Sequence, residues 1–289
     1  MPHWTTTRFQ IDLSQPRVMG IVNVTPDSFS DGGQHPDAAS ALRHCEQLLK
    51  DGADILDIGG QSTRPGSPEA PLAGELARVL PVLREAVKWG VPISVDTSRP
   101  EAMAAALDLG ADIINDIWAL RRAGESGGPG ALDVVARHPS CGVCLMHMHG
   151  SPQTMQTSPM TGDAVPQVLR FLSRAAQDAV ERGVARGRIV LDPGIGFGKT
   201  VAQNFALLAR QRELLAAGYP LLAGWSRKSS LGAALQGNAP APPPPSERVT
   251  ASVAAALLAV ERGARIVRVH DVRETAQALA IWRQVGAPS

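Results

Sequence analysis

The chain has 289 residues, 44% of them hydrophobic, enough to build one large core. Its formal net charge of +1 sets up no global field that would attract nucleic acid or an anionic membrane, so an anionic ligand must be held by locally placed Arg, Lys, His or helix N-termini. No apolar run is long enough to span a bilayer, MPHWTTTRFQIDL has no basic-then-apolar leader pattern, and three cysteines favour a reducing compartment, so the expected location is cytoplasmic.

After a short N-terminal segment, eight apolar runs of strand length follow in order: Val18–Asn23, Ile55–Gly59, Ile93–Asp96, Ile113–Asp116, Val143–His147, Ile189–Asp192, Leu221–Gly224 and Ile266–His270. Such runs read as strands buried on both faces, as parallel strands are. Helical periodicity fills the intervals. In PDAASALRHCEQLLKDG (36–52), Ala38, Leu42, Cys45, Leu48 and Leu49 share one face. Glu75–Trp89, Pro100–Leu109, Ala164–Arg182, Asn204–Ala217, Arg248–Arg262 and Glu274–Gln284 read similarly. A glycine recurs at the helix-to-strand junction in DGADILDIGG, LGADIINDIW and RGARIVRVHD, and more loosely in WGVPISVDTS and AGYPLLAGWS, where a left-handed C-cap is expected. RRAGESGGPG (121–130) should be a loop, and NAPAPPPPSER (238–248) an extended, exposed connection. The alternation predicts a (β/α)8 TIM barrel with a short N-terminal extension, one domain over residues 1–289. A doubly wound open sheet is the alternative.

LDPGIGFGKT (191–200) invites a phosphate-loop reading that its spacing refuses. Taking Lys199-Thr200 as the end of G-x-x-x-x-G-K-[ST] places Pro193 where the first glycine belongs, and proline lacks the N–H the cradle requires. Gly194, Gly196 and Gly198 are evenly spaced and so fail the dinucleotide pattern as well. Cys141 and Cys144 form C-x-x-C, but the pair runs into a strand-like segment and has no second pair, so a buried structural role is expected.

In parallel barrels the reactive groups stand at the C-terminal ends of the strands. Those positions hold Asn23, Asp57, Asp96, Asn115 with Asp116, His147, Asp192, Ser226 with Lys228, and Arg268 with His270. Asp96, Asn115, Asp192 and Lys228 make one pole, suited to a flat heterocycle with ring N–H and exocyclic amine edges. Arg64, Arg268 and His270, with Asn23 and Thr63, make a cationic pole suited to phosphate oxygens, where the Asn23 amide oxygen could ligate Mg2+. NVTPDSFSDGG (23–33) and GGQSTRPGSP (59–68) flank the mouth as candidate lids.

The blocks NVTPDSFSDGG, GGQSTRPG, SVDTSRP, INDI, LMHMHGSPQTMQ, LDPGIGFGKT, GWSRKSS, PSER and IVRVHDVRET, in that order over nearly the whole chain, resemble the dihydropteroate synthase family of pterin-binding enzymes. The resemblance implies a TIM barrel, usually a homodimer. It also implies Mg2+-dependent condensation of 6-hydroxymethyl-7,8-dihydropterin pyrophosphate with p-aminobenzoate, with sulfonamides as competitors. By the same resemblance Asp96, Asn115, Ile117, Met146, Asp192, Gly224 and Lys228 hold the pterin. Asn23, Thr63, Arg64, Arg268 and His270 serve the pyrophosphate and metal, while Pro65, Phe197, Ser226 and Lys228 form the p-aminobenzoate wall. Ser226 would meet the carboxylate near a helix N-terminus, and Asp31 would close over the reaction centre. The residues implied in catalysis are Asp31, Asp96, Asp192, Lys228 and Arg268. Gln61 and His149 depart from the common Glu and Gln of the family. Two other readings compete: a barrel metal hydrolase using His147 and His149, and a non-catalytic paralogue or pterin-binding methyltransferase domain. The intact DSFSDGG and STRPG loops speak against the second.

Overall fold

The computed structural model describes residues 3–24, 38–61 and 70–286. The N-terminal extension is an antiparallel hairpin of β1 (His3–Thr5) and β2 (Gln10–Asp12). The remaining strands are β3 (Arg17–Asn23), β4 (Ile55–Gly59), β5 (Ile93–Asp96), β6 (Ile113–Asp116), β7 (Gly142–Met146), β8 (Ile189–Asp192), β9 (Leu221–Ala223) and β10 (Ala264–Val269). These eight are parallel neighbours and close on one another in the order β10-β3-β4-β5-β6-β7-β8-β9. The expected (β/α)8 barrel is therefore present, and the open-sheet alternative is set aside.

Helices wrap the barrel: α1 (Ala38–Lys50), α2 (Leu72–Ala86), α3 (Pro100–Asp108), α4 (Ala131–Arg137), α5 (Ala164–Glu181), α6 (Val201–Ala209), α7 (Ser229–Leu235), α8 (Val249–Glu261) and α9 (Val272–Gly286). The first begins as periodicity predicts, with Cys45 and Leu48 buried and Leu42 and Leu49 packed against the core. The stretch expected as one helix over Asn204–Ala217 is instead α6 followed by a 3-10 segment, Gln211–Ala217. Helices α4 and α7 were not expected. Each has only seven residues, too few to display a period, and α7 contains Gly232. The junction glycines do adopt the left-handed region, Gly110 at φ 94° and Gly263 at φ 96° for instance.

Alternation along the strands sorts their side chains into two sets. Val18, Leu56, Val95, Ile114, Leu145, Leu191 and Val267 face the helices and form the main core. Met19, Ile55, Ile113, Cys144, Val190, Leu222 and Ile266 point into the barrel, where Trp4, Ile11 and Leu13 of the N-terminal segment meet them. The hairpin is thus a plug. Trp4 is fully buried and donates its indole N–H to the Arg188 carbonyl at 2.8 Å. Cys45, Cys141 and Cys144 are free and buried, and burial pushes all three thiols above their ordinary range, Cys45 to about 12. This is the structural role expected of the C-x-x-C pair. Truncation of the plug should be costly: Trp4→Ala is expected to lower unfolding stability by about 3–5 kcal/mol in urea titration. An unchanged midpoint would mean that the hairpin lies outside the cooperative core.

Candidate active site

Above the apolar plug the inward positions turn polar, and they enclose a cup of about 460 Å3 including its open mouth. Its wall comprises Ile21, Asp96, Asn115, Ile117, Met146, Asp192, Phe197, Gly224, Ser226, Lys228, Arg268 and His270. Seven barrel strands or the turns that follow them contribute to it. Asp192 and Arg268, taken from opposite poles of the sequence reading, share this one space.

The poles are joined rather than separate. The Arg268 guanidinium donates through Nε to Asp57 Oδ2 and through Nη2 to Asp96 Oδ2, each at 2.6 Å. The same Asp57 oxygen accepts the Asn115 amide at 3.1 Å. Asp57 is fully buried, so its charge is neutralised inside the barrel by Arg268. Burial pushes the Asp96 carboxyl up to about 7, against the pull of Arg268 and with the repulsion of Asp57 adding to the rise. Asp192 is also raised by burial, while its Oδ1 accepts the Gly194 N–H at 2.7 Å. Burial brings the Lys228 ammonium down to about 8, with Asp192 acting in the opposite sense. Lys228 Nζ lies 4.4 Å from the Phe197 ring centroid and donates to the Ile195 carbonyl. At the rim, Ser226 Oγ and His270 Nδ1 are 3.0 Å apart.

Three N–H groups of the loop LDPGIGFGKT are already taken by acceptors within the protein, which adds to the case against a phosphate loop. Gly194 N–H goes to Asp192, Gly196 N–H to Asn204 Oδ1 at 2.8 Å, and Phe197 N–H to the Gly194 carbonyl at 3.1 Å. A Cβ at Gly194 would lie 1.9 Å from the His147 carbonyl, and one at Gly198 2.3 Å from that of His149; both sit at positive φ. The glycines therefore let this loop lie against the segment after β7. Lys199, buried, turns its ammonium to the carbonyls of Gly194 at 2.8 Å and Phe197 at 3.1 Å. Thr200 caps α6 in a capping box with Gln203.

The remaining candidates divide. Asn23 ends β3 half-buried, on the same face as Ile21. Asp31, Thr63, Arg64 and Pro65 lie outside the described residues. Asp116 faces away from the cup and holds the next turn, accepting the N–H of Trp118 at 2.8 Å and Leu120 at 2.6 Å. His147 packs edge-on against Phe171 at 4.9 Å outside the barrel, and burial lowers it to about 3, while His149 is exposed. The two histidines therefore do not present a pair of ligands to the barrel mouth, which is what the metal-hydrolase reading requires. The helix start near Ser226 belongs to Ser229, the first residue of α7, and Ser226 itself is committed to His270. Sequence reasoning listed Asp57 among the strand-end groups but gave it no role; it stands in the middle of β4. The same reasoning passed over Lys199 and Asn204, which brace a loop rather than line the cup.

Residues 19–270 match the family described as pterin binding enzyme. The chain belongs to that family. It is 52% identical over 288 residues to the dihydropteroate synthase of Neisseria meningitidis serogroup B, covering 98% of this chain and 97% of that one. Among solved structures, Xanthomonas albilineans dihydropteroate synthase with 4-aminobenzoic acid superposes with a TM-score of 0.90 at 46% identity, covering 100% and 99% of the two chains. Burkholderia cenocepacia dihydropteroate synthase complexed with 7,8-dihydropteroate gives 0.86 at 48% identity, covering 98% and 96%.

In this family member the Asp57 charge raises Asp96, so Asp57→Asn should lower the Asp96 carboxyl below about 7 in the free protein. Carboxyl carbon NMR titration checks this; an unmoved Asp96 would mean that the two carboxylates are not electrostatically linked.

Proposed function

We infer that this chain catalyses the dihydropteroate synthase reaction, joining 6-hydroxymethyl-7,8-dihydropterin pyrophosphate to p-aminobenzoate with release of pyrophosphate. The observation that supports it most is the convergence of Asp96, Asn115, Asp192, Lys228, Arg268 and His270 on one cup in a pterin-binding barrel. The Asp192 and Asp96 carboxylates are assigned to the N–H and amine edges of the pterin, Asn115 and Lys228 to its remaining ring heteroatoms and carbonyl. Ile117, Met146 and Gly224 provide apolar walls for a flat ring. Phe197 and the Lys228 stem are assigned to the p-aminobenzoate wall, with Ser226 nearby at the approach to α7. Arg268 and His270 take the pyrophosphate. The roles given to Asp31, Thr63, Arg64 and Pro65 rest on the family resemblance.

Asn23 offers one neutral amide oxygen, and no acidic cluster stands ready for a metal among the described residues. That donor set fits Mg2+ carried mainly by phosphate oxygens and water, with Asn23 as protein ligand. When bound, the ion would offset charge on the departing pyrophosphate. Three buried free thiols support a reducing, cytoplasmic setting, and no helix among the described residues is long and apolar enough to cross a membrane.

The arylamine is neutral at pH 7, so its attack needs no strong base; the barrier lies in breaking the methylene C–O bond. Carboxylates against the pterin favour positive charge developing on that ring, and the Arg268 and His270 side favours negative charge on the leaving group. Together they favour a dissociative path in which the C–O bond breaks before the C–N bond forms, the amine then losing its proton. The cup serves this chemistry by presenting preorganised charges in a partly water-excluded space.

Formation of dihydropteroate by the purified chain, with and without Mg2+, tests the assignment directly. Asp192→Ala and Lys228→Met are each expected to lower kcat/KM by roughly 10²–10³-fold; a fully active Asp192→Ala enzyme would falsify the ring-holding role. The pH profile should be bell-shaped. Activity should rise as Asp96 ionises near about 7 and fall above about 8 as Lys228 loses its proton. In calorimetry, p-aminobenzoate should bind measurably only once pyrophosphate occupies its site, and tight binding to the free protein would count against this order.

A further inference from the structure

Ser226 and Lys228 flank Arg227, and Arg227 adopts a backbone conformation that side-chain-bearing residues rarely take. Its φ is +59°, in the left-handed region. It sits at the third position of a turn that the Lys228 N–H closes on the Trp225 carbonyl at 3.2 Å, a position where glycine is normally required. Both neighbours of Arg227 face the cup. A relaxed Arg227 would rotate the adjoining peptides and re-aim both.

What holds this conformation lies outside the cup, at the start of α8. The Arg227 N–H donates to Ser252 Oγ at 2.9 Å, and its carbonyl accepts from Arg248 Nη1 at 3.0 Å. Both backbone groups of the strained residue are therefore tied to one helix terminus. The Arg227 side chain donates to Asp271 Oδ2 at 3.1 Å, which gives an arginine here an anchor that glycine could not supply. Arg248 is itself fixed. It is buried, donates through Nε to the Pro243 carbonyl at 2.8 Å, and has its own carbonyl bonded by Ser252 Oγ at 2.7 Å. Its guanidinium lies over Gly232, where a Cβ would come within 2.7 Å of it. The expected extended connection over 238–248 is instead a run of turns and bends followed by a 3-10 segment, Pro245–Arg248, and the short stretch between them delivers the Pro243 carbonyl to Arg248.

We propose that Arg248 and Ser252 are positioning residues of the active site, holding Arg227 left-handed so that Ser226 and Lys228 are aimed into the cup. The proposal deepens the functional reading above and rests on it for the roles of Ser226 and Lys228. Neither Arg248 nor Ser252 touches the cup, so they act only through the turn. Strain of this kind persists where surrounding contacts over-determine it, and removing a contact lets it discharge.

The test compares wild type with Ser252→Ala, Arg248→Lys and Arg227→Gly, and with Ser252→Ala placed in the Arg227→Gly background. Thermal melts establish that each variant is folded; Ser252→Ala is the milder change should Arg248→Lys fail to fold. Ser252→Ala is expected to lower kcat/KM by about tenfold. In the Arg227→Gly background the same change should cost no more than about twofold, because glycine takes the left-handed region without strain. A second readout needs no activity. Burial in the cup holds Lys228 down to about 8, with Arg268 adding to the fall and Asp192 and Asp96 opposing it. Its amine, followed by NMR titration in the free protein, should move up towards 10.5 in Ser252→Ala. An unmoved Lys228, or an equal loss of kcat/KM in both backgrounds, overturns the proposal. A wild-type chain that makes no dihydropteroate would sink the functional reading instead, and the Lys228 titration would still decide this one.

Discussion

The bond pattern on which the cup depends is the pairing of one guanidinium with two carboxylates inside the barrel. Arg268 holds Asp57 and Asp96 together, and through Asp57 it also orients Asn115. Charges taken from water are costly unless paired and hydrogen-bonded, and here the pairing crosses three strands. Below it lies the apolar layer capped by Trp4, Ile11 and Leu13, which leaves these charges a low-dielectric floor. This accounts for the direction in which the cup's titrating groups move. Burial raises Asp96 and Asp192 and lowers Lys228, so each is disfavoured in its charged form until a ligand supplies the missing partners. A site in that condition gains most from a ligand carrying both donors and anions.

Around this centre the backbone is braced in two places. Behind Asp192, a loop of left-handed glycines lies against the segment after β7 and is pinned by Lys199 and Asn204. Behind Lys228, a left-handed arginine is pinned by Arg248, Ser252 and Asp271. The two loops meet where Lys228 donates to the Ile195 carbonyl and stands over Phe197. Lys228 and the loop behind Asp192 are thus held by turns that have few alternatives, while Asp96, Asp192 and Arg268 stand on barrel strands, and such rigid mounting is what electrostatic preorganisation requires.

Much of this was legible in advance. Parallel barrel strands are buried on both faces and appear as short apolar runs, so each of the eight was located within a residue or two of its observed bounds. Of the polar groups read at the strand ends, Asp96, Asn115, Asp192, Ser226, Lys228, Arg268 and His270 did gather in one cup. The hairpin plug was missed because its strands have three residues each and no period to show. His147 was read as a strand-end group but falls on the outward side, where Phe171 covers it. Asp57 was read as a strand-end group and given no role, whereas it stands mid-strand in β4, and nothing local distinguishes a carboxylate that lines a pocket from one that braces its neighbours.

By itself, then, the amino-acid order determined the strand and helix succession and most of the chemical types collected at the barrel mouth, because short doubly buried apolar runs and a 3.6-residue period are local features of the chain. Tertiary structure decided the partnerships. Arg268 reaches Asp57 across 211 positions and Asp96 across 172, and Arg248 reaches Arg227 across 21. Such pairings depend on closure of the barrel and on where a loop returns, and a local pattern carries no information about either.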